Sequence, residues 1–323
     1  MVKSVFFPKQ CRALEANVTD TLLPPSRHCF VTNIMWIAGC ERAIRHNSVS
    51  CHPEASRSMP NSSLFCLAAC LLAGLPDAAR VQLKPATSEA FDKYMQAAQS
   101  RFDNSLRRGA FLWVDASPDR KRAVTEGRIL AEPSNQSGDI EIPDGLIHDW
   151  TGAVFVPGAT LAQTLRMVED YDNHKNVYRP EVIDSRLLSH HGDDFHVFLR
   201  IVKKQILTVV LNTEHDVHYI RLDRTRWYSK SFTTRIAEVE DPGPNEHELP
   251  PGNDHGFMWR LNSFWRFEER DGGVYLECQA ISLTRDVPVG LGWLINPIIR
   301  SLPRESLTNT LRATRQALTS GKQ

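Results

Sequence analysis

Residues Phe257 to Pro288 read FMWRLNSFWRFEERDGGVYLECQAISLTRDVP, and this stretch decides the fold. Asp271-Gly272-Gly273 divides it, because glycine accepts the positive φ that a short hairpin turn needs. Side chains alternate along a strand. Trp259, Leu261, Ser263, Trp265 and Phe267 therefore share one face of the first strand, and Val274, Leu276, Cys278, Ala280 and Ser282 share one face of the second. The opposite face carries Arg260, Asn262, Arg266, Glu277 and Gln279 and is expected to be solvated sheet surface. The apolar face needs a cover. The C-terminal segment supplies one: Ser301 caps it, Pro303 sits in its first turn, where a missing N–H costs nothing, and Leu307, Leu311, Thr314 and Leu318 recur at helical spacing.

The chain upstream supplies the rest of a sheet. His148–Val156 reads as a strand stopped by Pro157-Gly158, and Thr160 then caps a helix with Leu161, Leu165 and Val168 on one side. After Tyr178-Arg179-Pro180 come strands expected at Val182–Leu188, Phe195–Val202, Ile206–Leu211, Val217–Leu222 and Trp227–Val239. Turn-forming residues separate them at His191–Asp194, Asn212–Asp216 and Asp223–Thr225. Asp241–His255, rich in proline and glycine, is expected to be a long exposed loop. Consecutive strands with short turns favour antiparallel pairing. The fold class is thus α+β: an antiparallel sheet covered by a long C-terminal helix, with a mainly helical N-terminal extension.

In this order of elements the chain resembles the START-like helix-grip superfamily, also called SRPBCC. That superfamily includes the birch pollen allergen, START lipid-binding domains and polyketide cyclase/dehydrase-like proteins. The resemblance covers about residues 146–320. It is carried by Leu165-Arg166-Met167-Val168-Glu169-Asp170-Tyr171-Asp172 leading into Tyr178-Arg179-Pro180-Glu181-Val182, by the hairpin, and by Gly290-Leu291-Gly292-Trp293 with the final helix. The resemblance implies the helix-grip fold, a seven-stranded curved antiparallel sheet wrapped around the long C-terminal helix, with an apolar cavity between them. It implies no catalytic residue, because those vary across the superfamily.

Composition sets further bounds. Hydrophobic residues at 41% and charged residues at 24% are ordinary for a globular chain, which excludes a disordered or fibrous one. Basic and acidic side chains balance at 38 each, so no bulk field favours nucleic acid. Cys11, Cys29, Cys40, Cys51, Cys66 and Cys70 all precede residue 71 and only Cys278 follows, which excludes a disulfide framework in the main body. Residues 1–58 lack sustained periodicity, and Cys51–Ser58 resembles the peptide produced when certain bacterial intergenic repeats are translated. This stretch is expected to be a non-native or disordered leader, with translation starting near Met59. It holds seven of the 38 basic and four of the 38 acidic side chains, which leaves 31 against 34 in the remainder.

Residues 59–80 read as a signal peptide, with Leu64–Leu75 as the apolar run and a minor lipobox reading at Cys70. The expected location is exported, periplasmic or extracellular, the alternative being cytoplasmic. Residues 81–145 are read as an extension packed on the main domain of 146–320. Within the extension, Phe91, Tyr94, Met95, Ala98 and Phe102 form a helical stripe.

Candidate chemistry is sparse. His190, His191, Asp193, Asp194 and His196 belong to a hairpin turn and its flank, and His215 and His218 alternate to opposite faces, so neither group reads as a metal site. There is no nucleophile elbow and no phosphate-binding glycine loop, no catalytic constellation, and no cofactor or metal is expected. Large aromatics with few polar groups suit a pocket for an apolar ligand. The residues expected to contact one are Leu199, Tyr228, Phe232, Trp259, Leu261, Trp265 and Leu311. The expected function is binding or carriage of a lipid-like or polyketide-like molecule. A polyketide cyclase-type enzyme and a structural protein with a filled core are the alternatives. The expected partner is that ligand, with peripheral membrane contact open, no nucleic acid, and a monomeric chain.

Overall fold

The computed structural model describes residues 80–320 apart from 109, 136–137, 205–207 and 287–291. The leader expected over 1–58 lies outside the described residues, as do Leu64–Leu75, Cys70, Gly290 and Leu291. In chain order the elements are β1 (Val81–Gln82), α1 (Pro85–Arg108), α2 (Pro118–Thr125), β2 (Leu130–Pro133), β3 (Asp139–Ile142), β4 (Gly145–Pro157), α3 (Leu161–Val168), α4 (His174–Val177), β5 (Val182–His191), β6 (Asp194–Lys204), β7 (Thr208–Arg221), β8 (Arg226–Glu240), β9 (His247–Glu248), β10 (Asn253–Asp254), β11 (Arg260–Arg270), β12 (Gly273–Arg285) and α5 (Gly292–Ser320). A single 3-10 turn spans Trp113–Ala116 and another Tyr171–Asn173. No helix among the described residues is long and apolar enough to cross a membrane.

The main sheet has ten strands in the order β2-β4-β12-β11-β8-β7-β6-β5, with β3 also paired to β4 and β9 to β8. Every pairing in it is antiparallel. The hairpin of β11 and β12 turns at Asp271 and Gly272, with φ of 55° and 74°. Gly273 follows with no room for a side chain, since a Cβ there would lie 2.4 Å from the Val156 carbonyl oxygen.

The helix α5 packs on β2, β4 and β12. Gly152 permits this closeness: a Cβ at that position would meet Leu311 Cδ1 at 2.7 Å and Leu307 Cδ2 at 3.0 Å. Leu307, Leu311 and Leu318 join Val154, Leu276 and Cys278 in one core cluster.

Ser301 does not cap the final helix and Pro303 is not in its first turn, since α5 runs unbroken from Gly292 to Ser320; three further expectations need correction. First, the polar face of the hairpin is not solvated. Phe91, Met95, Ala98 and Phe102 of α1 pack over it against Ile147, Phe264, Ile281 and Leu283. Phe111 to Val124 cover Ala153, Phe155 and Tyr275 beside them. Under this layer Asn262, Arg266 and Glu277 are buried. Glu277 accepts the backbone N–H groups of Trp113 (2.7 Å) and Val114 (2.8 Å). The Arg266 guanidinium stacks over Phe102 at 4.3 Å and donates to Ser105 Oγ at 2.6 Å.

Second, Asn212–Asp216 is no turn. It lies inside β7, paired with β6 on one side and β8 on the other, and a register shift against β8 falls between Glu214 and His215. Asn212, Glu214 and Asp216 read as a turn because they serve the outer face, where Glu214 lies within 3.9 Å of Arg235 and 3.5 Å of His196.

Third, Asp241–His255 is only partly exposed. Leu249 and Asp254 are fully buried, and the segment holds two short strands, β9 paired with β8 and β10 paired with β1. Asp254 accepts the Trp259 indole N–H at 2.9 Å and the Gly256 N–H at 2.8 Å.

Candidate functional site

The helix rests on one side of the sheet, against β2, β4 and β12. On this same face β6, β7, β8 and β11 stand away from the helix and leave a cavity of about 1430 Å³ between them and it. Most of the wall is apolar: Val197, Leu199 and Ile201 on β6, Leu211 and Val217 on β7, Leu261, Trp265 and Phe267 on β11, and Leu307 and Ala313 on α5. Strand alternation places these side chains, since every second residue of each strand points inward. The seven strands β4-β12-β11-β8-β7-β6-β5, the helix held against them and the cavity between are together decisive. The fold is a helix-grip. Beyond those seven strands, β2, β3 and β9 extend its sheet.

Of the seven expected ligand contacts, Leu199, Leu261 and Trp265 line the helix-grip cavity. The other four do not. Tyr228 and Phe232 sit on the outer face of β8 under α1; the inward positions beside them are Ser229 and Ser231. Trp259 precedes β11, so strand alternation does not reach it. It packs with the α1 cluster, and Met258 takes the inward place. Leu311 is fully buried in the core where the helix touches the sheet.

The wall also holds polar groups. Tyr171 and Tyr219 share a hydrogen bond between their hydroxyls at 3.0 Å, and Tyr178 OH lies 3.2 Å from Thr314 Oγ1. Burial raises all three phenols, Tyr178 to about 12 and Tyr219 well above its ordinary value. His174 Nε2 donates to the Val168 carbonyl oxygen at 3.0 Å. Burial lowers His174 and His215 alike, each to about 4, so both are neutral at pH 7. Cys278 is buried in the wall and desolvation pushes its thiol up, which makes it inert. Near one rim, Lys203 contacts both Glu181 and Ser306, and Asn309 Nδ2 donates to Glu181 Oε1 at 2.9 Å, which ties α5 to β6. At another part of the wall, Glu238 accepts His255 Nδ1–H at 2.9 Å together with the backbone N–H groups of His255 and Phe257, each at 3.0 Å.

Neither the buried histidines nor the Glu238–His255 pair stands out in sequence. His215 lies in the stretch that reads as a turn, and Glu238 and His255 meet only through the fold. His174 offers one signal, its place between Tyr171 and Tyr178 at helical spacing.

Among solved structures, the chain is similar to a STAR-related lipid transfer protein from Xanthomonas axonopodis. Identity is 17%, the match covers 59% of this chain and 98% of that one, and the TM-score is 0.39. It is also similar to an aromatase/cyclase from a Streptomyces species, at 12% identity over 55% of this chain and 96% of that one, with a TM-score of 0.33. Human STARD10 matches at 10% identity over 64% of this chain and 82% of its own, with a TM-score of 0.35. No family model and no curated protein sequence matches the chain. The fold rests on the strand order, the helix and the cavity.

Proposed function

We propose that the chain binds an apolar or amphipathic small molecule between the sheet and α5. The cavity carries this reading. At about 1430 Å³ it exceeds the roughly 300–1,000 Å³ of ordinary small-molecule pockets. Leucine, valine and aromatic side chains line most of it. Burying apolar ligand area there gains about 25 cal/mol per Å². The polar wall groups suit binding better than proton transfer, since burial makes both buried histidines weak bases and the three phenols weak acids. Secretion of the chain as an exported carrier is part of the same proposal, tested by N-terminal sequencing of the mature protein: retention of Leu64–Leu75 would exclude it.

Native mass spectrometry of the full chain, followed by organic extraction, tests the binding reading. The expected result is a co-purifying apolar species. Ser263→Trp provides a second test, because Ser263 faces the cavity. Filling real space should leave stability within about 1 kcal/mol of wild type and abolish the extracted species. In a filled core the same change would cost about 1–3 kcal/mol.

One observation favours acid–base chemistry as a second reading. Glu238 fixes His255 with Nδ1–H donated, leaving Nε2 as the basic atom on a wall residue. The two readings separate in a His255→Gln variant. A carrier retains the same extracted species as wild type, whereas an enzyme accumulates an unconverted precursor in its place.

A further inference from the structure

The cavity wall is not uniformly apolar. Along β6 and β7 it offers mainly Val197, Leu199, Ile201, Leu211 and Val217. Along β8, β11 and β12 it adds the hydroxyls of Ser231, Ser263 and Ser282. The boundary falls where Ser231 stands opposite Val217. Ser231 also stands opposite Ser263, which sets their Cβ atoms about 4.5–5.5 Å apart. Ser263 faces Ala280 across the hairpin, and Ser282 follows Ala280 on the same face of β12, diagonal to Ser263 at about 7–8 Å. The three hydroxyls form one short polar band across three strands. On β11 the band has apolar wall on both sides, Leu261 before Ser263 and Trp265 after it.

The band opens onto the cavity. Its strand neighbours turn the other way: Phe232, Phe264, Ile281 and Leu283 pack under α1, and Lys230 pairs with Asp103 of that helix at 2.8 Å. This layer covers the outer face, so the partly buried Ser231 and Ser263 are accessible from the cavity side. Ser282 is 8% exposed. None of the three hydroxyls has a hydrogen-bond partner among the described residues, and none of the three oxygens is fully closed off. Space alone does not call for serine here, because Ala280 fills the same layer as a small apolar residue. A ligand of plain hydrocarbon would shut water out and leave three hydroxyls unpaired, a cost that alanines would not carry.

We infer that the cavity takes a hydrophobic molecule with oxygen functions partway along its length, and that Ser231, Ser263 and Ser282 bind those oxygens while β6 and β7 hold its apolar flank. This rests on the reading of the cavity as a ligand site and adds a chemical class to it. A serine hydroxyl donates or accepts, so hydroxyl and carbonyl groups both fit the band. A fatty chain that is polar only at its end leaves the band unpaired.

The test is isothermal titration of the full chain with stearate and with 9,10-dihydroxystearate, both below their micellar concentrations. The two share chain length and carboxylate and differ in a pair of mid-chain hydroxyls. Stearate is the more hydrophobic, so a purely apolar wall would rank it first. The expected result is the reverse, with dihydroxystearate at least about fivefold tighter, the value of one neutral hydrogen bond. This ranking is read on wild type and does not depend on the folding of a variant. In a triple variant, Ser231→Ala with Ser263→Ala and Ser282→Ala, stearate should bind at least as tightly as to wild type, which shows an intact cavity, and the preference for the diol should vanish. Equal affinities in wild type, tighter binding of stearate, or a preference that survives the triple variant would overturn the serine assignment and leave the cavity reading standing. Failure of both probes to bind wild type would overturn both.

Discussion

Glu277→Ala is expected to lower the unfolding free energy by about 3–5 kcal/mol, the usual consequence of removing one member of a buried ion pair. Glu277 is 1% exposed, and its carboxylate takes the N–H groups of Trp113 and Val114 at 2.7 and 2.8 Å. Arg266 Nη1 lies 3.6 Å away. Truncation orphans two backbone donors and strands a guanidinium that is itself buried, which is the costlier half of the damage. Denaturant titration measures the loss. A drop under about 1 kcal/mol would show that the Trp113–Ala116 turn docks on the sheet without the carboxylate.

The same residue makes stability depend on pH. Burial pushes the Glu277 carboxyl from 4.5 up to about 7, against the pull of Arg266 and the two N–H donors. A raised folded-state pKa means the folded chain holds the proton more tightly than the unfolded chain. That contribution is fully present below about 4.5 and is lost as pH rises through about 7. Glu277→Gln mimics the protonated form and does not titrate. Wild type should therefore lose stability relative to Glu277→Gln between pH 5 and 8. A difference that stays constant would mean that Arg266 keeps Glu277 ionised across the whole window.

Glu277 also marks where sequence reasoning stops. Within β11 and β12 the period of two sorts the side chains correctly, and Leu261, Ser263, Trp265, Phe267, Cys278, Ala280 and Ser282 all reach the cavity. Local chemistry was enough, because alternation is a property of the strand itself. The charges on the other face read as solvated because nothing in a strand's own sequence reveals what lies above it. That cover comes from α1 and the Phe111–Val124 segment, more than a hundred residues upstream in the chain. Tyr228 and Phe232 misled for the same reason: two apolar layers exist, one on each face of the sheet, and aromatic residues serve both. His215 was hidden differently. Asn212–Asp216 carries turn-like residues, but β6 and β8 pair with it on both sides and hold it extended. Tertiary pairing overrode a local preference, and a buried histidine of the cavity wall sits at that point.

Leu311→Ala is expected to cost about 2–5 kcal/mol and to leave the affinity for an extracted ligand within about twofold of wild type. Leu311 is fully buried and absent from the cavity wall, so its truncation empties core and not binding surface. Its place is set by Gly152, whose missing side chain lets Leu311 Cδ1 approach to 2.7 Å of where a Cβ would stand. The pair is therefore coupled, and a double-mutant cycle exposes the coupling. Gly152→Ala alone forces a methyl into Leu311, Leu307 and the Leu130 carbonyl oxygen, and should cost about 1–3 kcal/mol. In the Leu311→Ala background one of those collisions disappears, and the penalty should shrink by about 0.5–3 kcal/mol. It should not vanish, because the Leu130 carbonyl oxygen, 2.9 Å from the added methyl, belongs to the backbone of β2 and cannot swing aside. Strict additivity would show that α5 does not rest on Gly152. Loss of ligand affinity in Leu311→Ala at preserved folding would restore Leu311 to the binding surface and displace the boundary drawn here between gripped helix and open cavity.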